Sequence, residues 1–580
     1  MSHTHIPGAK YLWCAQRQIS HDVHDLAQQF NLSIPIVQVL INRGMTSTDS
    51  ITQFLSDLDE DIADPLLLKD ALRAVTRIEQ AIANNEKILI AGDYDVDGVT
   101  SSALILVSLK PLGAHINFFL PHRQRDGYGL SVNTIRRAAA NGYKVIITVD
   151  NGITAFEPAR EAKNLGIDLI ITDHHQPHAH LPDAYAIVDP HQSDCKYPFK
   201  YFAGVGVSFK LMSLLYTRRS LPLPSKVYEL LLLGTVADVV PLIGENRFWV
   251  RRSLRHINQS KSLSLAILKK NAQITKEVMS SLDIGFYVAP QINALGRLDD
   301  AREAVAFLIG SQPEEVERIG IILANMNQAR KNIEKKIVAE IVANIESGII
   351  SIQDAVLVVE GKDWPSGVVG LVASRLVGLY GRPAIVLHCT TNGTLKGSCR
   401  SIAEIDIFNA LDSVKNLLIS FGGHPMAAGV ALAYENLASF RTALHEYVIA
   451  RIALADMKQR IYLDAELTLP DLNKKLVQDM KTLEPFGAGN REPIFLISSV
   501  TRIGDIQVLK EAHVKCMVFQ QGVMKPIIFF NRPELYHTLQ SHDQEPFNVA
   551  ASVTENHWNG KINIELCGID VTLSSIPQSQ

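Results

Sequence analysis

The sequence predicts an α/β protein built from a parallel-sheet domain, a long connecting helix, a second α/β domain and a terminal β-barrel. Three observations carry that expectation. Downstream of Lys87, short apolar runs alternate with helical segments, the pattern of a parallel sheet covered on both faces. From about Ser311 to Ser347 the pattern is helical and dense in charge, with no Pro after Pro313 and no Gly after Gly320. Beyond roughly Arg460 it becomes strand-rich, with Gly and Pro turns between aromatics, which suits a small barrel.

At 580 residues the chain exceeds one core, and at roughly 150 residues per domain three to four units are expected. Residues 1–60 read as an N-terminal helical segment, with a capping signal at Thr46-Ser47-Thr48-Asp49-Ser50. Residues 61–310 are assigned to the first α/β domain, 311–350 to the connecting helix, 351–455 to the second α/β domain and 460–575 to the barrel. In the first domain Leu72 to Asn85 has helical spacing. Its strand candidates are Ile88-Leu89-Ile90, Ile116 to Leu120, Val145 to Val149, Leu169-Ile170-Ile171 and Ile187-Val188. In the second, strands at Val356 to Val359 and Ala384 to Leu387 flank a helix at Val368 to Leu379. No internal repeat or low-complexity tract interrupts this order.

Composition narrows the class without choosing a function. Hydrophobic residues make up 47% and charged residues 20%, ordinary for a globular protein. No apolar run approaches the ~20 residues that span a bilayer. Met1 to Lys10 lacks a basic-then-apolar leader pattern, so the cytoplasm is the expected location and no membrane partner is expected. The six cysteines are scattered, which excludes a local zinc ribbon and argues for free thiols. A net charge of −4 does not advertise a polyanion partner, although clustered basic groups or bound metal ions can supply local positive charge.

The residues just past each strand are more telling. Ile88-Leu89-Ile90 leads to Asp93-Tyr94-Asp95-Val96-Asp97-Gly98, Val145 to Val149 leads to Asp150-Asn151-Gly152, and Leu169 to Ile171 leads to Asp173-His174-His175. Ligand crevices of open α/β sheets lie at the carboxyl ends of the strands, so acids and imidazoles are delivered to one edge. The Asp93 segment opens like a calcium loop, but its twelfth position is Leu104 rather than Glu, and a strand precedes it where that loop needs a helix. Three carboxylates within five residues repel one another unless a cation sits among them. One of the three can cap the helix beginning near Val99, which does not account for all of them. Asp238, alone in the apolar stretch Gly234 to Pro241, also needs a partner, and a metal would supply one. Carboxylates with a single imidazole suit Mn²⁺ or Mg²⁺. His178, His180 and His191 show no pattern and read as solvated loop residues.

The set Asp95/Asp97, Asp150, Asp173-His174-His175 and Asp238 resembles, in order, the four motifs of the DHH phosphoesterase superfamily. The resemblance implies two divalent metal ions, Mn²⁺ or Mg²⁺, held by Asp95, Asp97, Asp150, His174 and Asp238. Asp150 would bridge them, Asp93 and Asp173 would orient the ligands, and His175 would lie near the scissile phosphate. Such a pair of ions activates water and clamps an in-line displacement, so no covalent nucleophile is needed.

Three further segments resemble the RecJ-type exonucleases within that superfamily, from about residue 45 to 575. Arg123-x-x-Asp126-Gly127-Tyr128-Gly129 is similar to a segment meeting the 5′ end of the strand, with Arg123 on a phosphate and Tyr128 stacking on a base. Gly397-Ser398-Cys399-Arg400-Ser401 and Gly422-Gly423-His424-Pro425 resemble the DHHA1 domain. There Ser398 and Arg400 would take the terminal phosphate and His424 would approach the reacting nucleotide; Ser366 to Gly370 would start a helix facing the cleft. The last region resembles an OB-fold, including Glu484-Pro485-Phe486-Gly487 and Gly489-Asn490-Arg491-Glu492-Pro493. Its aromatics Phe495, Phe519, Phe529, Phe530 and Trp558 are expected mostly in the barrel core, with DNA stacking open for the remainder. Arg297, in Asn293 to Asp300, is either a phosphate contact or an ion pair between domains. The implied activity is 5′-to-3′ digestion of single-stranded DNA to 5′-mononucleotides, in repair and recombination, including mismatch repair. The connecting helix would hold the two α/β bodies as a clamp that admits one strand. The implied partners are a single-strand-binding protein and a DNA helicase, with the enzyme a monomer. Two other readings use the same residues: a cyclic-dinucleotide or short-RNA phosphodiesterase, and a non-catalytic DNA-binding relative.

Overall fold

A computed structural model of the chain describes residues 3–16, 23–56, 62–122, 127, 129–298, 300–390, 392–454, 457–541, 545–558 and 561–573. The chain forms two compact units, one from residues 56–332 with 485–491 and the other from 1–55, 333–484 and 492–580. Among the described residues no helix is long and apolar enough to cross a membrane.

The first unit is organised by a five-stranded, fully parallel sheet. Its spatial order is His115–Phe119, Lys87–Ala91, Tyr143–Val149, Asp168–Thr172, Ala186–Val188. Alternate side chains of each strand enter different cores, as the two-residue period requires. Ile88, Ile90, Val145, Ile147 and Ile170 pack with the helices Ala71–Ala83, Val96–Leu109, Gly204–Arg218 and Lys226–Ala237. Leu89, Ile146, Leu169 and Ile171 pack with Val132–Ala140 and Phe156–Asn164. Each such aliphatic side chain contributes about 1.5–3 kcal/mol on burial, which holds the strand ends in register. The second strand in sequence lies to one side of Lys87–Ala91 and the third to the other. The strand order therefore reverses there, and open α/β sheets bind their ligands at such a point, here the carboxyl ends of Lys87–Ala91 and Tyr143–Val149. Asp93 to Asp97 and Asp150 come directly after those two strands.

In the second unit, Leu357–Gly361 and Ala384–Cys389 pair in parallel, as an α/β domain requires. The same sheet continues antiparallel through Thr394–Arg400, Ala427–Ala433 and the edge strand Leu418–His424. The barrel runs through Phe495–Leu509, His513–Gln520, Val523–Phe529, Lys561–Thr572 and Phe547–Trp558, and closes where the first of these pairs with the last. Phe495 and Phe529 fill its core, whereas Phe530 is half exposed and stacks edge-on against His513. The helix Pro313–Glu346 is continuous.

The first sixty residues differ from the helical segment that the sequence suggests. Helices Val23–Phe30, Ile34–Asn42 and Thr48–Leu55 are present, but a hairpin of His3–Pro7 and Leu12–Gln16 precedes them and is joined in parallel by Arg460–Leu463. The cause is tertiary. Trp13 is fully buried, and its Nε1–H donates to Asp570 Oδ2 at 3.0 Å; Asp570 also accepts from the amides of Lys10 and Tyr11 and from Arg532 Nη2. A buried carboxylate more than 500 residues away decides the conformation of a five-residue strand.

Candidate metal centre

Every catalytic-domain acid and imidazole singled out in the sequence converges on the carboxyl edge of the parallel sheet. His174 Nε2 lies 3.1 Å from Asp150 Oδ1, 3.7 Å from Asp238 Oδ2 and 3.9 Å from Asp97 Oδ2. Three sets offer ligand atoms within 4.8 Å of one another: Asp97, His174 and Asp238; Asp150, His174 and His175; Asp93, Asp95 and Asp150. Asp150 and His174 each belong to two sets.

Backbone amides hold these groups in place. Asp95 Oδ1 accepts from the amides of Asp97 at 2.9 Å and Gly98 at 3.1 Å, so it caps the helix Val96–Leu109, which starts three residues before the expected point. Asp97 Oδ2 accepts from Gly204 N–H at 2.6 Å and Oδ1 from Val205 N–H at 2.8 Å, at the start of the helix Gly204–Arg218. Asp173 takes four donors: the amides of Ile153, His174 and His175 and, at 2.7 Å, His175 Nδ1. Its side chain thereby orients the His175 ring.

The electrostatics are those of a site built around a cation. Burial pushes Asp150 well above the ordinary carboxylate value, and the charges of Asp97, Asp95, Asp238 and Asp93 push it further. Burial, then Asp97 and Asp95, does the same to Asp238. Asp97 is pushed up to about 7 by burial and by Asp95, with the Val205 and Gly204 amides opposing. Burial and the neighbouring His175 lower His174 to about 4, so its ring is neutral and able to ligate. His175 would be lowered by burial, but the Asp173 hydrogen bond and charge raise it to about 9. Crowded, buried carboxylates that resist ionisation, together with a neutral imidazole, form a donor set that a hard divalent cation satisfies.

Several residues of the centre are not singled out by the sequence. Gly204 is one: a Cβ there would lie 2.6 Å from Asp150 Cβ. Gly98, the last position of the Asp93 motif, is bound by the same closeness, since its Cβ would come 2.5 Å from the Asp93 backbone. Asp189, fully buried and pushed up to about 7 by burial with Asp173 adding, comes directly after the strand Ala186–Val188. The rule that marks Asp150, an acid just past a strand, marks it too. The loop bearing Asp238 is braced by residues 485–491: Leu242 N–H donates to Ala488 O at 2.7 Å, and Gly487 and Gly489 fit against Leu242 and Pro241. Those residues, which the sequence groups with the barrel region, belong to the catalytic unit.

The remaining candidates divide between the units. Arg297 is half-buried near the end of the helix Ala289–Leu298, where Gly296 packs against the Tyr94 carbonyl. Arg123 and Tyr128 lie outside the described residues. In the second unit Arg400, Ala427 and His424 stand in one row across three adjacent strands, so Arg400 and His424 share a face roughly 10 Å apart. Ser398, two residues before Arg400, shares that face. The helix Ser366–Tyr380 begins over them, with Gly370 3.2–3.3 Å, measured from its Cβ position, from Arg400 Nη2 and Ser398 Oγ.

Comparison with known proteins gives this geometry a family. Residues 87–235 match the DHH family N-terminal domain, 353–450 the DHHA1 domain and 463–570 the RecJ OB domain. The single-stranded-DNA-specific exonuclease RecJ of Bacillus subtilis is 34% identical over 569 residues, covering 98% of this chain and 71% of that protein. The chain belongs to the RecJ family. The Escherichia coli RecJ is 34% identical over 470 residues, 78% of this chain and 81% of that one. Among solved structures, RecJ of Thermus thermophilus in complex with Mn²⁺ superposes with a TM-score of 0.82 at 26% identity, over 97% of this chain and 80% of its own. The same RecJ in complex with Mg²⁺ gives 0.76 at 25% identity, over 97% and 79%. The expected α/β, DHHA1 and OB architecture is thus that of RecJ, and RecJ relatives hold the metals that the donor set here suits.

Proposed function

We propose that this chain is a metal-dependent exonuclease that degrades single-stranded DNA from its 5′ end to 5′-mononucleotides. The observation that carries the reading is the convergence of Asp93, Asp95, Asp97, Asp150, His174 and Asp238 at one sheet edge, in a chain similar along 98% of its length to a single-stranded-DNA-specific exonuclease. Asp95, Asp97, Asp150, His174 and Asp238 are the ligands of two divalent ions, Mn²⁺ or Mg²⁺, with Asp150 shared. When bound, those ions activate water and neutralise the charge of an in-line phosphoryl displacement.

The chain's own residues prepare that chemistry. The Gly204 and Val205 amides hold both oxygens of Asp97, and the backbone amides at Asp97 and Gly98 hold one oxygen of Asp95, leaving its other oxygen for a ligand role. Asp173 Oδ1 lies 2.7 Å from His175 Nδ1, and that bond fixes the ring and raises its pKa in the metal-free chain, which leaves Nε2 available for a phosphate oxygen. Ser398 and Arg400, beneath the helix that starts at Ser366, take the terminal 5′-phosphate, Arg400 through paired N–H donors. His424, Arg297, Arg123 and Tyr128 are further contacts to the strand. The enzyme acts in the cytoplasm as a monomer, in repair and recombination, on strands supplied by a helicase and coated by single-strand-binding protein.

The test is Mn²⁺-dependent digestion of a single strand labelled at its 5′ or its 3′ end, with a blunt duplex as control. Early release of the 5′ label as mononucleotide with the duplex spared is expected. Early release of the 3′ label refutes the polarity, and inert DNA beside hydrolysis of a cyclic dinucleotide refutes the substrate.

A further inference from the structure

The loop after Asp238 and the turn before the helix Ala289–Leu298 expose apolar groups that the core does not use. Val239 is 68% exposed, Phe286 71% and Tyr287 53%. Val239 adopts φ 60°, a left-handed conformation that a β-branched residue takes only when its surroundings impose it. Phe286 and Tyr287 lie in the π-helical turn Ile284–Val288, and such turns recur at functional sites. Their wider winding leaves two consecutive aromatics facing water.

Both elements are pinned beside the metal centre by one segment. Leu242 N–H, just beyond Val239, donates to Ala488 O at 2.7 Å, and Ser281 Oγ–H, at the entry to the π turn, donates to Phe486 O at 2.6 Å. Gly285 packs against Val236, two residues before Asp238, with a Cβ position 3.4 Å from its side chain. At the other end of the same helical run, Gly296 meets the carbonyl of Tyr94 in the Asp93–Asp97 loop, and Arg297 is the next residue. The run from Ile284 to Leu298 therefore flanks the centre at both ends, apolar at one and cationic at the other.

The geometry points to Val239, Phe286 and Tyr287 as a shelf beside Asp238 on which a nucleobase of the bound strand stacks. This rests on the exonuclease reading above. A strand whose phosphates lie at the metal centre and near Arg297 must place its bases to one side, and stacking tolerates any base because each presents a π face. A second protein fits less well. At roughly 200 Å² per full aromatic, the three side chains expose on the order of 400 Å², about half of the ~800 Å² per partner of a stable interface.

The test is a scan of single abasic sites through the first six nucleotides of a 5′-phosphorylated strand. It compares the wild-type chain with Phe286→Ala/Tyr287→Ala in Mn²⁺-dependent digestion, and in anisotropy without added divalent metal. Wild type is expected to lose roughly 5- to 150-fold in kcat/KM at one or two positions. The double variant loses a similar factor on the intact strand, mostly through KM, and nothing further at those positions; Phe286→Trp with Tyr287→Phe restores the wild-type scan. Identical scans for wild type and double variant overturn the shelf. So does an equal loss on intact and abasic strands with an unrestored conservative variant, which marks a structural role, or loss of a dimer at unchanged KM, which marks self-association. A wild type that digests no strand, yet binds with an abasic-sensitive affinity lost in the double variant, sinks the exonuclease reading and leaves the shelf standing.

Discussion

Gly204→Ala tests whether the closeness of the backbone at the centre matters as much as its ligands. The added methyl would lie 2.6 Å from Asp150 Cβ, 2.9 Å from its Cα and 3.1 Å from its Cγ. Ordinary van der Waals contact is 3.4–4 Å, so the start of the helix Gly204–Arg218 and Asp150 must separate by about 1 Å. That movement also shifts the two amides that hold Asp97. A misplacement of about 1 Å costs on the order of 100-fold in rate. Overpacking costs about 1–3 kcal/mol of stability, which shifts the melting of a unit this size by a few degrees. The assay is single-strand digestion against Mn²⁺ concentration, beside a thermal melt. Expected are a roughly 100-fold lower kcat/KM and a higher half-activating Mn²⁺ concentration in a protein that still melts cooperatively. Wild-type rate and Mn²⁺ response would refute the claim that this backbone contact positions the ligands.

Four further outcomes are expected. Asp150→Ala removes cleavage by at least about 1,000-fold while single-strand affinity, read by anisotropy, changes little; retained activity would remove Asp150 from the ligand set. Arg400→Ala, assayed on 5′-phosphorylated and 5′-hydroxyl strands, narrows their rate ratio more than it slows turnover at saturation, and an unchanged ratio moves the phosphate pocket elsewhere. In metal-free protein His175 stands at about 9 against an ordinary 6.5, because Asp173 holds its proton. Its stabilisation is therefore full below about pH 6.5 and lost as pH rises through about 9. Asp173→Asn should flatten that part of the wild-type urea-stability profile, and parallel profiles would contradict the pairing. Mn²⁺ at about 100 times its dissociation constant should stabilise the wild type by about 2.7 kcal/mol in melts and Asp150→Ala by much less.

The candidate ligands are legible in the sequence because their signal is local. An acid just past a buried apolar run marks the carboxyl end of a parallel strand, and Asp97, Asp150 and His174 each sit within six residues of one. The reversal of strand order, a property of the whole sheet, is what brings them within reach of Asp238. The Asp97 amide partners at Gly204 and Val205 lie more than 100 residues away, in an apolar run that reads only as core. The hairpin at His3–Pro7 escapes the sequence for a related reason: Asp570 and Arg460–Leu463 determine it, and no periodicity inside five residues reveals a partner that distant. Residues 485–491 read with the barrel because they adjoin it in sequence, although their hydrogen bonds run to Ser281 and Leu242.

The centre collects unfavourable features that the surrounding fold must hold. Asp150 has φ 61° and Val239 φ 60°, and such non-glycine conformations cost about 1–3 kcal/mol each. Asp97, Asp150 and Asp238 all resist ionisation, first because they are buried and then because of neighbouring carboxylates, Asp95 being common to all three. None of this is needed to build the sheet, whose core would form equally well with small neutral residues at its edge. The strain and the charge repulsion point the same way, toward a cation that lets the carboxylates ionise. The fold supplies rigidity from places that the ion does not touch: the Gly204 helix start, the four donors on Asp173 and the 485–491 brace behind Asp238. A site assembled by the metal alone would need none of these supports, so their presence argues that the geometry is set before the metal arrives.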